Sequence, residues 1–312
     1  MKKETKLLSI VFSFRNEQEN LKELIQRVNK IKRDIRNWDI EMIFVNDYSS
    51  DDSLNILKEE KKVNNIQILN MSRRFGQSAC VFAGFENSSG DAVIYMDSDL
   101  QDPPELIPNL IEKYEEGYDV VHTRRTKRLG ENFMKMKITN AAYKIINFFS
   151  NISLPEQVGD FKLLSRKAVN NFCKISEIDP YFRGLSVWIG FKQTYIEYVR
   201  ESRHKGNTHF PLFRNLNPSA EFLRGVTSFS SAPLYFSLFL GALTLMVSIV
   251  LIFYGLYLKI SGNAVPGTSG ILVAIAFFSG VILFTLGVLG IYLSRIYNQI
   301  KGRPRYILDD ID

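Results

Sequence analysis

The chain is poor in the features that mark several common protein classes. Only two cysteines occur among 312 residues, Cys80 and Cys173. They stand at no metal-binding or redox spacing, which argues against a disulfide scaffold and a cysteine-based metal or redox centre. Both fall in helical, apolar surroundings and are expected as reduced core thiols of a cytosolic domain. No internal repeat or low-complexity segment is present. No signal peptide is expected, because MKKETK runs straight into a strand-like segment without a long apolar core or cleavage site. Charge itself is missing from two stretches, Pro233 to Leu258 and Gly270 to Leu293. Each exceeds the roughly 20 residues that a helix needs to cross a bilayer. Soluble core helices rarely run so far without a charge.

Two membrane spans, about 233–258 and 270–293, are therefore expected. The linker Lys259–Ser269, KISGNAVPGTS, is short and turn-rich, so the spans form a hairpin with both flanks on one side. Arg214 and Arg224 precede the first span, and Arg295, Lys301, Arg303 and Arg305 follow the second, whereas the linker holds only Lys259. The positive-inside rule places both termini in the cytoplasm of a multi-pass protein of the bacterial inner membrane. The net charge of +6 and pI near 9.1 fit a nucleic acid, a membrane surface or an anionic substrate. Because the charge flanks the spans and no nucleic-acid module is present, nucleic acid is excluded as a partner.

Upstream, strands and helices alternate. Leu7–Phe12, Ile40–Val45, Ile66–Asn70, Ala92–Met96 and Val120–Thr123 read as strands. Between them, helices are expected over Glu17–Arg33, from a cap at Ser50 or Asp51 to about Lys61, over Gly76–Asn87, and from about Pro104 to Glu116. This alternation predicts an α/β fold, a mostly parallel sheet with helices on both faces. Arg124–Arg128 opens a basic stretch in which Phe133, Met136, Ile138, Ala141, Ile145, Ile146 and Phe149 recur at helical spacing, with Lys135, Lys137 and Lys144 between them. It reads either as a core-facing helix or as one lying on the membrane with its lysines toward anionic headgroups. Leu212–Phe229 is similar. The expected division is a cytoplasmic catalytic domain over 1–211, a juxtamembrane amphipathic segment over 212–232, the hairpin over 233–293 and a cytoplasmic basic tail over 294–312.

Chemistry concentrates in AVIYMDSDLQDPP, Ala92 to Pro104. A buried strand there delivers Asp97, Ser98 and Asp99 at its carboxyl end, where open α/β sheets bind ligands. Two carboxylates one residue apart offer hard oxygen ligands to Mg²⁺ or Mn²⁺, which complete their shells with water and substrate phosphates. A bare D-x-D is also an ordinary acidic turn. Asp47, at the second strand end, can accept from a base N–H or cap the next helix. Gly159-Asp160-Phe161 reads as another acidic turn, and RESRHKGNTHF (Arg200 to Phe210) as a cationic loop. That loop is either a solvated charge run or a set of cations for a departing diphosphate.

Taken together, these residues resemble the inverting glycosyltransferases of family two, with the GT-A (Rossmann-like) fold. More narrowly they are similar to the polyprenyl-phosphate glycosyltransferases, the bactoprenol glucosyltransferases and dolichol-phosphate mannose synthases. FSFRNEQENL, NDYSSDDS, SRRFGQSACVFAGF, DSDLQDPPELI, VGDFKLLSR and RGLSVWIGFK appear in the family's order, followed by the two-span hairpin. The resemblance implies that Asp97, Asp99 and Gln101 hold the metal and diphosphate, with Asp99 part of the catalytic centre. Ser13, Phe14, Glu17 and Asp47 would cradle base and ribose, and Arg203 would contact the donor diphosphate. Arg124, Lys135, Thr139 and Arg200 would bind the acceptor phosphate, and Asp160 matches the family's catalytic base. Ser13, Arg15 and Tyr48 stand where the family usually has proline, tyrosine and glycine.

The implied reaction is transfer of one hexose, glucose first, from a nucleotide sugar (UDP-linked first) to undecaprenyl phosphate, with a divalent cation, the lipid bilayer and a dimer or tetramer as its setting. A GDP-mannose donor is the alternative. A processive polysaccharide synthase is disfavoured because two spans make no channel and no Q-x-x-R-W motif is present. A non-catalytic scaffold is disfavoured by the intact DSDLQD.

Overall fold

Buried strands alternating with one-sided apolar helices build the architecture of the computed structural model. It describes residues 5–35, 37–128, 158–178, 180–200, 226–262 and 267–311. The elements run β1 (Lys6–Phe14), α1 (Leu21–Ile31), β2 (Trp38–Asn46), α2 (Ser53–Glu60), β3 (Ile66–Met71), α3 (Gln77–Glu86), β4 (Ala92–Asp97) and a 3₁₀ turn (Pro104–Leu106). Then follow α4 (Ile107–Glu115), β5 (Val120–Arg128), β6 (Val158–Ser165), α5 (Arg166–Cys173), α6 (Phe182–Trp188), β7 (Gln193–Arg200), α7 (Ala232–Ile260), α8 (Thr268–Ile300) and β8 (Leu308–Ile311).

Eight strands form one sheet in the order β7-β5-β6-β4-β1-β2-β3-β8. The pairs β1–β2, β1–β4, β2–β3 and β5–β7 are parallel, and β6 and β8 join antiparallel. The mostly parallel α/β sheet expected from the alternation is therefore present. Its central strands read as continuous apolar runs because both faces are covered. On one face Leu8, Ile10, Phe12, Phe44, Ile94 and Met96 meet Leu21, Leu24, Ile25 and Val28 of α1 and Ile107, Leu110 and Ile111 of α4. The i, i+3, i+4, i+7 stripe of α1 buries that surface. On the other face α3 comes so close to β1 that a Cβ on Gly84 would lie 2.1 Å from Val11 Cγ1.

Several segments differ from the sequence reading. Gly159-Asp160-Phe161 is no turn but the start of β6, all eight residues of which are buried between β4 and β5. Strand alternation sends Phe161 and Leu163 into the core and leaves Asp160 and Lys162 on the other face. Arg124–Arg128, expected to open the amphipathic stretch, instead prolongs β5 along β7 as far as the Arg128–Arg200 pair. The helix expected from Pro104 is split, since Pro108 at its start fixes a new helical beginning after the 3₁₀ turn.

The chain divides into two compact units, one holding the sheet and the residues from Pro304 onward, the other Val226–Arg303. In the second unit, α7 and α8 are long and apolar enough to cross a membrane. Side chains such as Phe236, Leu238, Ile252, Leu283 and Leu286 stand half or more exposed on them. Phe236 and Phe284 meet edge to face at 6.3 Å, Tyr292 donates to Ser230 O at 2.7 Å and Arg295 to Ser228 Oγ at 2.9 Å. Helix α8 runs past Leu293 to Ile300. The segment expected as a basic tail then supplies β8 to the edge of β3. The amphipathic stretch from Phe133 to Phe149, the loop after Arg200 and most of the segment 212–232 lie outside the described residues.

Candidate active site

The parallel strands end level with one another, Phe14 opposite Asn46, Ser13 opposite Asp97 and Asn46 opposite Asn70. Their loops meet at this edge through tight backbone. Asn16, Tyr48 and Leu100 all adopt left-handed conformations, with φ of 55°, 62° and 59°. Such positions cost about 1 kcal/mol or more for a side chain with a Cβ and cluster at functional sites. Asn16 fits its place because its Oδ1 accepts the Ser50 N–H at 2.8 Å.

A cleft of about 310 Å³ opens there, lined by Ser13, Phe14, Arg15, Glu17, Asp47, Arg74, Gly76, Gln77, Cys80, Asp97, Ser98 and Asp99. Six residues singled out in the sequence thus come together: Ser13, Phe14, Glu17, Asp47, Asp97 and Asp99. The Asp47 carboxylate is already engaged. It accepts the Phe75 N–H at 2.7 Å and the Gly76 N–H at 3.1 Å, so it fixes the loop between β3 and α3. Glu17, buried, accepts from Asn20 Nδ2 at 2.6 Å. Gln101 sits in the same turn as Asp99, to which its N–H donates at 3.1 Å, but it does not line the cleft.

Four carboxylates, Asp97, Asp99, Asp102 and Asp160, crowd this edge, and Asp102 and Asp160 differ from Asp97 in the partners they meet. Asp102, fully buried, takes Arg125 Nη2 at 3.4 Å and the Tyr198 hydroxyl. Asp160 takes Arg183 in a two-pronged pair, Nε at 2.9 Å and Nη2 at 2.7 Å. Asp97 is met by neutral donors among the described residues, Gln77 Nε2 at 2.8 Å and the Tyr95 hydroxyl at 2.9 Å. The titration follows this partition. Burial first, then Asp99, Asp160 and Asp102, push the Asp97 carboxyl up to about 7. Burial would also raise Asp160, but Arg183, with Lys162 and Arg125 behind it, holds that carboxyl well below the usual range. Lys162, buried against Ser186 Oγ at 2.7 Å, is pushed down by burial to about 7.

Asp97 and Asp99 thus offer a divalent cation oxygen ligands whose crowding such an ion would relieve. Among the described residues no group of three or more His, Cys, Asp or Glu side chains could hold an ion. A cation bound here would take substrate oxygens and water for the rest of its shell, the pattern usual for Mg²⁺ beside a phosphate.

Arg124, expected at an acceptor phosphate, lies on β5 beside β7, 3.8 Å from Glu197 and 5.0 Å from the Tyr195 ring centroid. Its neighbour Arg125 points through the other face of the strand to Asp102. Lys135, Thr139 and Arg203 lie outside the described residues, as does the side chain of Arg200 at the end of β7. The sequence reading missed Gln77, Tyr95, Arg125 and Arg183. Tyr95 was legible in part, because it lies two residues before Asp97 on a strand and therefore shares its face. Gly159 also has a reason: a Cβ there would stand 3.1 Å from Arg125 Nη2.

The family model for glycosyl transferase family 2 matches residues 9–172. The chain belongs to glycosyl transferase family 2. It is 39% identical over 302 residues to the uncharacterized glycosyltransferase YkcC of Bacillus subtilis, covering 96% of this chain and 92% of that one. It is 36% identical over 306 residues to the prophage bactoprenol glucosyl transferase homolog of Escherichia coli, covering 96% and 98%. In fold it is similar to mannosyl-3-phosphoglycerate synthase from Rubrobacter xylanophilus, with a TM-score of 0.50 at 18% identity over 72% of this chain and 73% of that one. This family 2 glycosyltransferase therefore has the GT-A architecture, and its cleft lies at the sheet edge where the sequence reading put a nucleotide sugar.

Proposed function

We propose that the protein transfers one hexose, glucose in the first instance, from a UDP-sugar to undecaprenyl phosphate at the cytoplasmic face of the bacterial membrane. The observation that carries the reading is the cleft at the carboxyl ends of the parallel strands, where Asp97 and Asp99 stand together beside Ser13, Glu17 and Arg74. Behind it, Asp102 and Asp160 are tied to Arg125 and Arg183. Support for the acceptor comes from the resemblance, over nearly the whole chain, to a bactoprenol glucosyl transferase homolog, and from two helices able to anchor the catalytic unit at a bilayer.

In this reading Phe14, Glu17 and Ser13 take the nucleoside, and Asp97 and Asp99 hold Mg²⁺ or Mn²⁺ against the diphosphate. Such a cation neutralises the charge that develops on the departing nucleotide diphosphate. Gln77 and Tyr95 orient the Asp97 carboxylate from behind, as partners of a metal ligand do. The acceptor phosphate is its own nucleophile. Its second pKa is about 6, so it is largely dianionic at neutral pH and needs little help from a base. In-line attack at the anomeric carbon forms the new C–O bond as the bond to the nucleotide diphosphate breaks, inverting the configuration.

Asp160, held by Arg183, is then a positioning group for a cation of the catalytic centre. Arg203 remains assigned by resemblance to the donor diphosphate, and Arg124, Arg200, Lys135 and Thr139 to the acceptor phosphate. The test uses the purified full-length protein in detergent, undecaprenyl phosphate, Mn²⁺ and a panel of UDP- and GDP-sugars, followed by lipid mass. A gain of one hexose that EDTA abolishes is expected with UDP-glucose. A product with GDP-mannose alone would replace the donor, and no lipid product from a folded protein would refute the acceptor.

A further inference from the structure

The ten residues that follow Gly302 do more than end the chain. Leu69 pairs with Ile311, Asn70 with Asp310 and Met71 with Leu308, so β8 covers the open edge of β3. The pairing continues beyond the strand, where the Ser72 N–H donates to Ile307 O at 3.0 Å. Just before it, Tyr306 donates to Glu86 and Arg305 donates to the carbonyl of Ile175. Arg305 also stands 3.6 Å from Glu86 and 4.0 Å from the ring centroid of Phe82.

Glu86 is the last residue of α3, and Met71 the last of β3. The C-terminal segment therefore holds the loop Ser72–Gly76 at its β3 end, through Met71 and Ser72, and separately holds the body and far end of α3, the helix that follows the loop, at Phe82 and Glu86. That loop forms part of one wall of the cleft. Arg74 and Gly76 line it, and Phe75 and Gly76 give their N–H groups to Asp47. Gln77, the first residue of α3, bonds Asp97. Ser72, Arg73, Arg74 and Gln77 are exposed, so little core packing holds the loop otherwise.

We infer that the C-terminal strand is a positioning element for the donor site, bracing the Ser72–Gly76 loop so that its amides and Arg74 are set before the nucleotide arrives. An edge strand could serve only to block pairing with other chains. The contacts to Glu86 and Phe82 argue for more, since they lie on α3, away from the β3 edge. A loop ordered in advance spares the binding step the entropy of fixing it.

The inference rests on the donor reading only for the choice of nucleotide. The experiment compares the full chain with a variant ending at Gly302 and with the double variant Arg305→Ala/Tyr306→Phe, which keeps the strand. Three quantities are read: UDP affinity with Mn²⁺ by calorimetry, donor and acceptor KM with kcat, and hydrogen exchange at the Phe75 and Gly76 amides. Both variants are expected to weaken UDP binding and raise donor KM about tenfold, the cost of ordering roughly one loop residue on binding. Acceptor KM and kcat stay within about twofold, and the two amides exchange faster.

Unchanged UDP affinity and unchanged exchange in the folded double variant would overturn the bracing role. Absence of UDP binding by the full chain would instead refute the donor reading, and the amide exchange would still decide the brace. If the truncated chain fails to fold, the double variant carries the test.

Discussion

Replacing Asp160 by asparagine separates two accounts of the catalytic centre. In one, the carboxylate removes a proton from the acceptor. In the other, it fixes Arg183. The geometry favours the second, because Arg183 meets both carboxylate oxygens, at 2.9 and 2.7 Å. A carboxylate so paired is a weak proton acceptor at neutral pH. Asp160→Asn keeps the shape but loses the charge-assisted pair. Each such hydrogen bond is worth about 1.5–3 kcal/mol when buried. The Arg183 side chain is 38% exposed, so water recovers much of this, and about 2 kcal/mol remains, or about thirtyfold in rate. Single-turnover transfer is measured for Asp160→Asn, Arg183→Met and the double variant. Each single change is expected to cost about thirtyfold, and the double no more than the worse single, because one pair is lost once. The pH–rate profile of Asp160→Asn keeps the wild-type shape. A loss of about 10³ in Asp160→Asn with near-normal Arg183→Met would establish a base and refute the pairing account.

Asp97 predicts a pH dependence. Its folded pKa of about 7 lies above the ordinary 3.8, so metal-free folding takes up a proton between these values and stability falls as pH rises through that window. Asp97→Asn flattens the curve. Mn²⁺ must displace that proton, so its affinity falls about tenfold per pH unit below about 7; equal Mn²⁺ affinity at about pH 5.5 and 8 would contradict this. Tyr48→Gly relieves a left-handed, 58% exposed side chain and raises stability by about 0.5–1 kcal/mol, read by thermal melting, once the entropy of the unfolded glycine is subtracted. Gly159→Ala places a methyl group 3.1 Å from Arg125 Nη2 and costs about 1–3 kcal/mol in the same assay, because the Asp102–Arg125–Tyr198 cluster is buried and has little room to shift.

The strand–helix alternation was legible because the central strands are apolar runs bounded by turns and α1 is a clean amphipathic stripe. The cleft was legible in its first half for a related reason: strand ends carry their polar residues at fixed offsets, so Ser13, Asp47 and Asp97 could be placed at one edge from the sequence alone. β6 was not, since Val158–Ser165 is covered on both faces and its Asp160 and Lys162 disguise a buried strand as a charged turn. Such a strand tolerates charge only when each charge has a partner. Those partners, Arg183 and Ser186, come from α6, more than twenty residues further along, and no local pattern announces them. The extension of β5 through Arg124–Arg128 failed for the same reason, as pairing with β7 overrides a basic composition. β8 is four residues long and half charged, too short to show a period.

The arrangement of charge explains why this edge can be both stable and reactive. Four carboxylates at one sheet edge repel, and burial makes the repulsion worse. The chain answers for Asp102 with Arg125 from β5 and for Asp160 with Arg183 from α6, so two of the four become ties, one between the loop after β4 and β5, the other between β6 and α6. Asp97 is given hydroxyl and amide donors from Tyr95 and Gln77 instead, which orient it without neutralising it. Of the two carboxylates that face the cleft, Asp97 is thus held in place by neutral groups. In the proposed reaction a divalent cation would offset the charge of these carboxylates and of the donor diphosphate together. The strain visible in the left-handed residues beside the site, Asn16, Tyr48 and Leu100, belongs to the same compromise. A sheet whose apolar centre is buried on both faces is stiff enough to hold loops in costly conformations, and loops so held bring the side chains of three separate strand ends into one cleft.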